Sequence, residues 1–434
     1  MDNKSRKIWL VLFAFITIIS ISFCNVLASD ALVPSQVNFL VFSDLHLDYA
    51  KTPYSMQIDP KGYNWDNDLD RWTFADMLQQ VNKAITNHTL PSPNFILLLG
   101  DIAGYDRSGK FNTYDDEKEV FTQLNHAFPH TPIILTFGNN DSLEKDYGAF
   151  YYPEGVSGKH SSYEMAVANH WLDGFLSTGR HCTIFNNSYP CLVDENKTDG
   201  YFALRLAPKL KLLAINSVML AASKHNTSSQ VSADKQFNWL KNELRIASWS
   251  HDAVLIASHI PIGNNIFDGS IFWRDTAKSP DQTKFFQLLA HYKNNVIGML
   301  SGHTHMEELK VMQDKSHKNI GALIFTAGLS TSHGNSPSLK TFSLSKTNGI
   351  WSISNYVTYA FHDVTSNSFK LDKLYDYVGT YCKKEAGCGP HHTLPCLQNV
   401  SADIMKRFYS AGNPNYKGNI AYPNYIWVSL PSGI

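Results

Sequence analysis

The chain has 434 residues, of which 43% are hydrophobic and 17% charged, and its formal net charge is −1. This length exceeds one ordinary hydrophobic core, and the composition is that of a globular protein, which excludes a disordered or fibrous chain. The near-neutral charge, with no basic run past the N-terminus, gives no sign of a nucleic-acid-binding surface.

The N-terminus has the layout of a secretory signal peptide. A short positive stretch with Lys4, Arg6 and Lys7 precedes an apolar run from Ile8 to Phe23, and small residues follow around Ala28. We therefore expect residues 1–28 to be cleaved and the protein to be secreted or delivered to a lysosomal or vacuolar lumen. The alternative is that the apolar run stays in place as a membrane anchor.

A secreted chain is expected to carry disulfides and glycans. Cys182 and Cys191 flank a turn-like stretch, which predicts a local disulfide. Cys382, Cys388 and Cys396 cluster near the C-terminus, where we expect two to pair, although the sequence does not say which. Five sequons are candidate glycosylation sites: Asn87, Asn186, Asn196, Asn226 and Asn399.

Apolar runs that end in polar residues recur along the chain and predict strands. Continuous apolar runs of this length indicate strands that are buried on both faces of a sheet. The runs are Val37–Asp44, Asn94–Asp101, Pro132–Asp141, Leu210–Ser217, Asp252–His259, Val296–His305 and Gly321–Gly328.

Helical patterns lie between several of these runs. They cover Arg71–Ile85, Asp116–Phe128, Ser232–Ala247 (with Ser232 as the N-cap) and Asp281–Tyr292. Alternating strands and helices predict a layered α/β domain over residues 35–362. Beyond it, Phe369–Cys382 and Ser401–Ala411 look helical, so we expect a small helical, cysteine-containing subdomain over residues 363–434.

Polar residues gather at the ends of the predicted strands, where sites form in α/β sheets. Residues two apart share one side of a strand, so an Asp-x-His or His-x-His pair can face a common point. Taken alone, each motif is more often an ordinary turn or loop than a site, except "GHTH", for which the two interpretations are even. Together they form a set of oxygen and imidazole ligands that suits two divalent metals sharing one carboxylate: Asp44, His46, Asp101, Asn139, His259, His303 and His305.

The order Asp-x-His, Gly-Asp, Gly-Asn-x-Asp, His, Gly-His-x-His resembles the calcineurin-like metallophosphoesterases over Val37–His362. The resemblance implies a four-layer αββα sandwich around two mixed sheets. It also implies that Asp44, His46 and His305 bind one metal, that Asn139, His259 and His303 bind the other, and that Asp101 bridges them. The two ions are expected to be Zn²⁺.

A narrower resemblance is to the acid sphingomyelinase-like phosphodiesterases, through "SDLHLDYA", "GDIAGYD", "SHIPIG" and the cysteine-bearing tail. It implies hydrolysis of sphingomyelin-like phospholipids or nucleotides by a hydroxide held between the metals, with peripheral contact to a membrane surface. Asp48 and Asp141 would support the ligands, although Asp48 reads equally well as a plain loop acid. Trp273 and Arg274 could contact a lipid or phosphate or simply pack. The sequence leaves the oligomeric state open.

Two positions depart from this family pattern. Asn140 stands where family members usually carry a histidine after the metal-binding asparagine, and Tyr105 stands near another expected histidine. Those histidines are thought to protonate the leaving oxygen, and an asparagine cannot do so. Asn140 also begins an Asn-Asp-Ser sequon, which we expect to be unused because a glycan would block the site.

Three interpretations of this departure stay open. Tyr105, or His160 or His333 in loops, could supply the proton. A phosphate leaving group would need little protonation, which would suit an endopolyphosphatase or nucleotide phosphohydrolase, since "TFGNND" is similar to the motif of vacuolar endopolyphosphatases. Alternatively, the chain is a weakly active or inactive binding protein on the same scaffold.

Overall fold

The computed structural model describes residues 34–56, 67–105, 113–142, 146–150, 162–169, 171, 181–183, 188–314, 316–362, 370–382, 396–418, 420 and 426–428. The predicted signal peptide, His160, Asn186 and Cys388 lie outside these residues. Within this described part of the chain, none of the helices combines the length and the hydropathy that a membrane span requires.

Two mixed sheets form the centre of the fold. In chain order, the strands are β1 Gln36–Phe42, β2 Phe95–Leu98, β3 Ile133–Leu135, β4 Cys191–Asn196, β5 Tyr201–Ala207, β6 Leu210–Ala214, β7 Ala253–Ala257, β8 Val296–Ser301, β9 Leu309–Gln313, β10 Asn319–Phe325, β11 Ser338–Thr347, β12 Ile350–His362, β13 Lys370–Asp376 and β14 Ile426–Val428. The first sheet has the strand order β13-β12-β11-β1-β2-β3 and the second the order β14-β9-β10-β8-β7-β6-β5-β4.

Helices lie against these sheets. They are α1 Arg71–Thr86, α2 Thr113–Ala127, α3 Ser162–Ala168, α4 Gln230–Ser250, α5 Asp281–His291, α6 Tyr377–Tyr381 and α7 Ala402–Phe408. Helix α1 begins at a good cap, because Asp70 accepts hydrogen bonds from the amides of Trp72 and Thr73. Helix α4 is capped by Ser229 rather than by the predicted Ser232, whose amide donates to the Ser229 hydroxyl.

The two sheets pack face to face through their apolar sides. Strand β12 contacts β7 and β8, while α4 contacts β7, α5 contacts β10 and α1 contacts β13. Strands β2, β3, β6 and β7 are buried along their whole length, as their continuous apolar runs predict. The layered α/β sandwich expected from the sequence is therefore confirmed.

The C-terminal region differs from its prediction. Lys370–Asp376 form strand β13 rather than a helix, because they pair antiparallel with the edge of β12 and bury Tyr375 opposite Thr358. Strand β14 joins the other sheet beside β9. Helices α6 and α7 do form, so the region after residue 363 mixes short helices with strands from both sheets. The domain boundary proposed at residue 363 stays a prediction.

Candidate metal centre

Five of the seven predicted ligands lie in tight turns with left-handed backbone conformations. The φ angles are 48° at Asp44, 42° at His46, 52° at Asp101, 72° at His303 and 57° at His305. A positive φ costs a non-glycine residue on the order of 1–3 kcal/mol and is concentrated at functional sites. These turns directly follow β1, β2 and β8, and they bring the ligand side chains to one edge of the sandwich.

Asp44, His46 and His305 form the first group, in which one ligand atom from each residue lies within 4.8 Å of the others. The Nε2 atoms of His46 and His305 are 3.0 Å apart, and His305 Nε2 is 3.4 Å from Asp44 Oδ1. All three side chains are buried. Two imidazole nitrogens and a carboxylate oxygen that converge in this way fit a divalent cation.

Asp101, His259 and His303 form the second group. His259 Nε2 lies 3.2 Å from Asp101 Oδ2 and 3.3 Å from His303 Nδ1. The Asn139 side-chain oxygen is 3.2 Å from the same His259 nitrogen, so the predicted amide ligand lies with this group. The donor set again contains only nitrogen and oxygen.

Asp101 is shared by the two groups. Its Oδ2 atom lies 3.5 Å from His46 Nε2 in the first group and 3.2 Å from His259 Nε2 in the second. A single carboxylate in contact with both groups is what a bridging ligand requires. The structure thus brings together all seven residues that the sequence singled out.

Hydrogen bonds orient several of these ligands. His259 Nδ1 lies 2.7 Å from the Leu99 carbonyl oxygen, which can only accept, so Nδ1 carries a proton and Nε2 is the ring nitrogen that faces the site. The Asp44 carboxylate accepts bonds from the His303 amide, at 3.0 and 3.1 Å, and from the Ser43 hydroxyl at 2.5 Å. Ser43 was not identified from the sequence.

Asp141, predicted as a supporting residue, fastens two ligand-bearing loops together. Its carboxylate accepts backbone hydrogen bonds from Gly138 (2.7 Å), Asp101 (2.9 Å) and Ile102 (2.7 Å). The side chain is fully buried. Asp141 therefore fixes the loop after β3 to the loop after β2, and with it the backbone of Asp101.

Asn140 is turned toward Asp101 rather than into the open site. Its backbone amide donates to Asp101 Oδ1 at 2.8 Å and its side-chain amide donates to Asp101 Oδ2 at 3.0 Å. The side chain is buried, and its amide nitrogen is occupied by this contact. Asn140 therefore holds the shared carboxylate in place.

Asp146 is a site residue that sequence reasoning missed. Its Oδ1 accepts a hydrogen bond from Asn139 Nδ2 at 2.8 Å. Because the amide nitrogen faces Asp146, the amide oxygen of Asn139 faces His259 and the second group. Asp146 lies in no recognisable motif, so the sequence carries no signal for this role.

Two glycines leave the space that the acidic ligands need. A Cβ atom on Gly302 would lie 2.6 Å from Asp44 Oδ2, and one on Gly138 would lie 2.9 Å from Asp101 Cγ. Neither distance is compatible with ordinary contact between atoms. The glycines in "GNND" and "GHTH" thus permit close approach of the backbone to the two carboxylates.

Burial perturbs the charges of the site strongly. It raises the pKa of Asp44 to about 7, against the attraction of His259 and together with repulsion from Asp101. Burial lowers the pKa of His46 to about 4 and that of His303 to about 3. The pKa of His259 rises to about 9, because attraction by Asp101 and Asp44 outweighs burial. The imidazoles of His46 and His303 are therefore neutral at pH 7, as metal ligands must be, whereas His259 would have to release a proton when a cation binds.

A pocket of about 230 Å³ opens beside the second group and is bordered by Asn139 and His303. Tyr105 and His333 also line it. The Tyr105 ring stacks on His46 with centroids 4.2 Å apart, and the His333 ring lies 3.9 Å from that of His305. Tyr105 and His333, the two candidate proton donors among the described residues, therefore lie next to metal ligands. Asn140 is not among the described residues that line the pocket.

The other predicted residues have these surroundings. Asp48 accepts a bond from the Ala50 amide at 2.9 Å, which is the geometry of a turn. Trp273 is fully buried and donates to the Ile260 carbonyl, and Arg274 pairs with Asp281 at 2.9 Å. Trp273 therefore packs inside the fold, whereas Arg274 is half-buried in an ion pair and its contact with a lipid or phosphate stays a prediction.

The disulfide Cys182–Cys191 is present, and Cys382 pairs with Cys396. Among the sequons, Asn87 is exposed. The side-chain amide nitrogens of the other described ones donate within the protein: Asn196 to the Tyr201 hydroxyl, Asn226 to the Ala221 carbonyl and Asn399 to the Tyr381 carbonyl. A glycan at any of these three would leave one amide hydrogen for that bond, whereas Asn87 is exposed and has room for a glycan at the surface.

The sequence of this chain is similar to those of several known proteins. Residues 37–307 match the calcineurin-like phosphoesterase family. The chain is 22% identical to the Dictyostelium discoideum "Sphingomyelinase phosphodiesterase D" over 67% of its length and 61% of that protein. It is 21% identical to the human "Acid sphingomyelinase-like phosphodiesterase 3b" over 88% of its length and 84% of that protein.

Two further proteins are similar to this chain. The bovine "Cyclic GMP-AMP phosphodiesterase SMPDL3A" is 23% identical over 47% of this chain and 40% of that protein. A dimetal phosphatase from Danio rerio has a similar structure, with a TM-score of 0.43, 14% identity and coverage of 74% of this chain and 95% of that one. The family match covers well over half of the chain and contains all seven predicted ligands. The chain belongs to the calcineurin-like phosphoesterase family.

Proposed function

We propose that this protein is a metal-dependent phosphodiesterase that hydrolyses organic phosphodiesters. The single observation that carries the proposal is the convergence of two His/Asp groups on the shared Asp101, beside one pocket. Relatives named as sphingomyelin and cyclic GMP-AMP phosphodiesterases support the reaction type. Phospholipid headgroup esters and nucleotide diesters are the candidate substrates.

The residues present fit two divalent cations. Asp44, His46 and His305 would hold one, Asn139, His259 and His303 the other, and Asp101 would contact both. Cations bound there would polarise the phosphate and lower the pKa of bound water toward ~7. A donor set of imidazole and oxygen without thiolate suits Zn²⁺, which is the metal we propose.

The chain's own groups position the substrate and supply hydrogen bonds. His303 and Asn139 line the pocket, so a phosphate placed there lies against the second group. Burial raises the pKa of Tyr105 well above its usual value, so its phenol keeps its proton and can donate a hydrogen bond to a phosphate oxygen. Asn140 holds Asp101 in register and transfers no proton.

We also propose an oxidising compartment, either outside the cell or in a lysosomal or vacuolar lumen. Two disulfides support this location. The N-terminal segment expected to direct the chain there lies outside the described residues. Peripheral contact with a membrane surface would follow if the substrate is a lipid.

The test is a substrate panel on the purified, Zn²⁺-loaded protein. It should contain a chromogenic phosphodiester, sphingomyelin, a cyclic dinucleotide and polyphosphate. We expect turnover of at least one organic diester. His303→Ala should abolish this turnover and should bind less metal than the wild type.

The other outcomes separate the alternatives. Chain shortening of polyphosphate without diester cleavage would indicate an endopolyphosphatase. Two bound metals with no turnover of any substrate would indicate a binding protein. Full activity of His303→Ala would refute the assignment of the second group as a metal site.

A further inference from the structure

We propose that Tyr409 and Tyr416 form the subsite that holds the organic group of the phosphodiester, by contact with an apolar or π face of that group. The inference rests on the proposed function and assigns its specificity to the C-terminal tail. Both tyrosines lie beyond residues 37–307, which match the family domain. They also fall in the region that the sequence presents as a separate subdomain.

The two rings share a pocket with the second ligand group. Tyr409 and Tyr416 line the same 230 Å³ cavity as His303 and Asn139. Their centroids are 5.9 Å apart with an angle of 64° between the planes. Tyr409 is buried in a small apolar cluster with Ile266, Met306 and Met405, and Tyr416 is half-buried against it. This cluster is distinct from the main core.

The tail is bonded to the two loops that carry ligand and pocket histidines. The Glu307 amide, two residues after His305, donates to the Tyr409 carbonyl at 2.8 Å. On the other loop, the Ser336 amide donates to the Ser410 carbonyl at 2.9 Å, and the Asn413 side chain donates to the Gly334 carbonyl at 2.7 Å. These bonds hold the rings in place before a substrate arrives, which limits the entropy lost on binding.

The charge of the pocket favours an uncharged or cationic organic group. Among the described residues that line it, Asp146 is an acid and none is a lysine or arginine. Lys310 lies over the Phe272 ring at 5.3 Å, but its ammonium donates to the Asn264 carbonyl and pairs with Glu308. Aromatic faces bind nucleobases by stacking and methylated ammonium groups by cation–π attraction.

The test uses three phosphodiesters that release the same p-nitrophenolate and differ only in the retained group, which is thymidine, choline or methyl. Tyr416→Ala is the probe, because Tyr416 is half-buried and its loss disturbs packing less than loss of Tyr409. Tyr416→Phe keeps the ring. Tyr54→Ala removes a tyrosine that is exposed and bonded to Asp76 outside the pocket, and it serves as the matched control.

We expect Tyr416→Ala to raise KM for the thymidine or the choline ester by roughly 5- to 100-fold. The methyl ester should keep kcat/KM within about twofold, and bound metal should be unchanged. Tyr416→Phe and Tyr54→Ala should behave like wild type. The ester whose KM rises identifies the group that the subsite takes.

The possible failures are distinguishable. If the wild-type protein turns over none of the three esters, the proposed function fails and this inference fails with it. If the wild type is active but Tyr416→Ala changes all three esters equally, or none, the subsite assignment alone is overturned.

Discussion

Gly138→Ala offers the sharpest test of the site geometry. A Cβ atom at Gly138 would lie 2.1 Å from Asp101 Oδ1, 2.3 Å from that residue's backbone nitrogen and 2.9 Å from its carboxyl carbon. Carbon atoms in contact sit about 3.5–4.0 Å apart. The contact with the backbone nitrogen would therefore force Asp101 to retreat by about 1 Å or more.

Asp101 has little room for this shift, because its amide and that of Gly138 both donate to the same carboxylate oxygen of Asp141. Overpacking of this kind costs about 1–3 kcal/mol of stability. A displacement approaching 1 Å at a catalytic group lowers turnover by up to about 100-fold. We expect Gly138→Ala to fold, to bind fewer than two metals per chain and to lose most of its diesterase activity.

Elemental analysis of bound metal and the chromogenic assay would measure both effects, with urea unfolding to follow stability. Gly298→Ala is the matched control, because the one close contact of its added Cβ, at 2.7 Å, would be with the flexible end of the Ile353 side chain. A Gly138→Ala protein with two bound metals and wild-type turnover would show that Asp101 is not held between the two groups.

Four further predictions concern other contacts. Burial raises the pKa of Glu117 well above its ordinary value of 4.5. The free energy of unfolding therefore keeps its full value below pH 4.5 and falls by about 1.4 kcal/mol per pH unit as the pH rises from there toward the folded-state pKa. Glu117→Gln should unfold at higher urea than wild type at pH 7 but not at pH 4. Asp146→Ala should weaken metal binding by about 10–100-fold, and Asp146→Asn, which can still accept the Asn139 bond, should weaken it less in a chelator competition. Cys182→Ser should lower the free energy of unfolding by about 2–3 kcal/mol, judged from the nine-residue separation of its disulfide, and an unchanged urea midpoint would contradict this. Chelation should abolish turnover and lower the melting temperature, both restored by Zn²⁺, whereas an unchanged melting temperature would count against cations at the buried groups.

The sequence was informative where chemistry and local structure coincide. The seven ligands could be identified because each follows an apolar run, and a buried strand of continuous apolar residues predicts its own end. His303 and His305, two apart in "GHTH", do contribute to different groups, as expected. The strain at these turns was not readable from the sequence, since positive φ at Asp44 or His46 arises from the surrounding contacts.

The parts that were missed depend on distant partners. Lys370–Asp376 has apolar spacing that suits a helix, but the open edge of β12 offers hydrogen bonds that a helix would forgo. Asp146 gains its role only because the loop after β3 turns it toward Asn139. Tyr409 and Tyr416 have no motif at all, and only the docking of the tail on the Glu307 loop places them at the pocket.

The backbone geometry of the site is held by hydrogen bonds that need no cation, whereas its negative charge is compensated only when cations bind. The three backbone bonds to Asp141, the bond from His303 to Asp44 and the bond from His259 to Leu99 involve no metal. They oppose the strain of five left-handed residues, which would otherwise cost several kcal/mol. These bonds do not remove the repulsion between the buried Asp44 and Asp101. Burial, together with that repulsion, raises the pKa of Asp44 to about 7. Bound cations would offset that repulsion directly, so the loops should keep their shape on chelation while the whole fold loses stability.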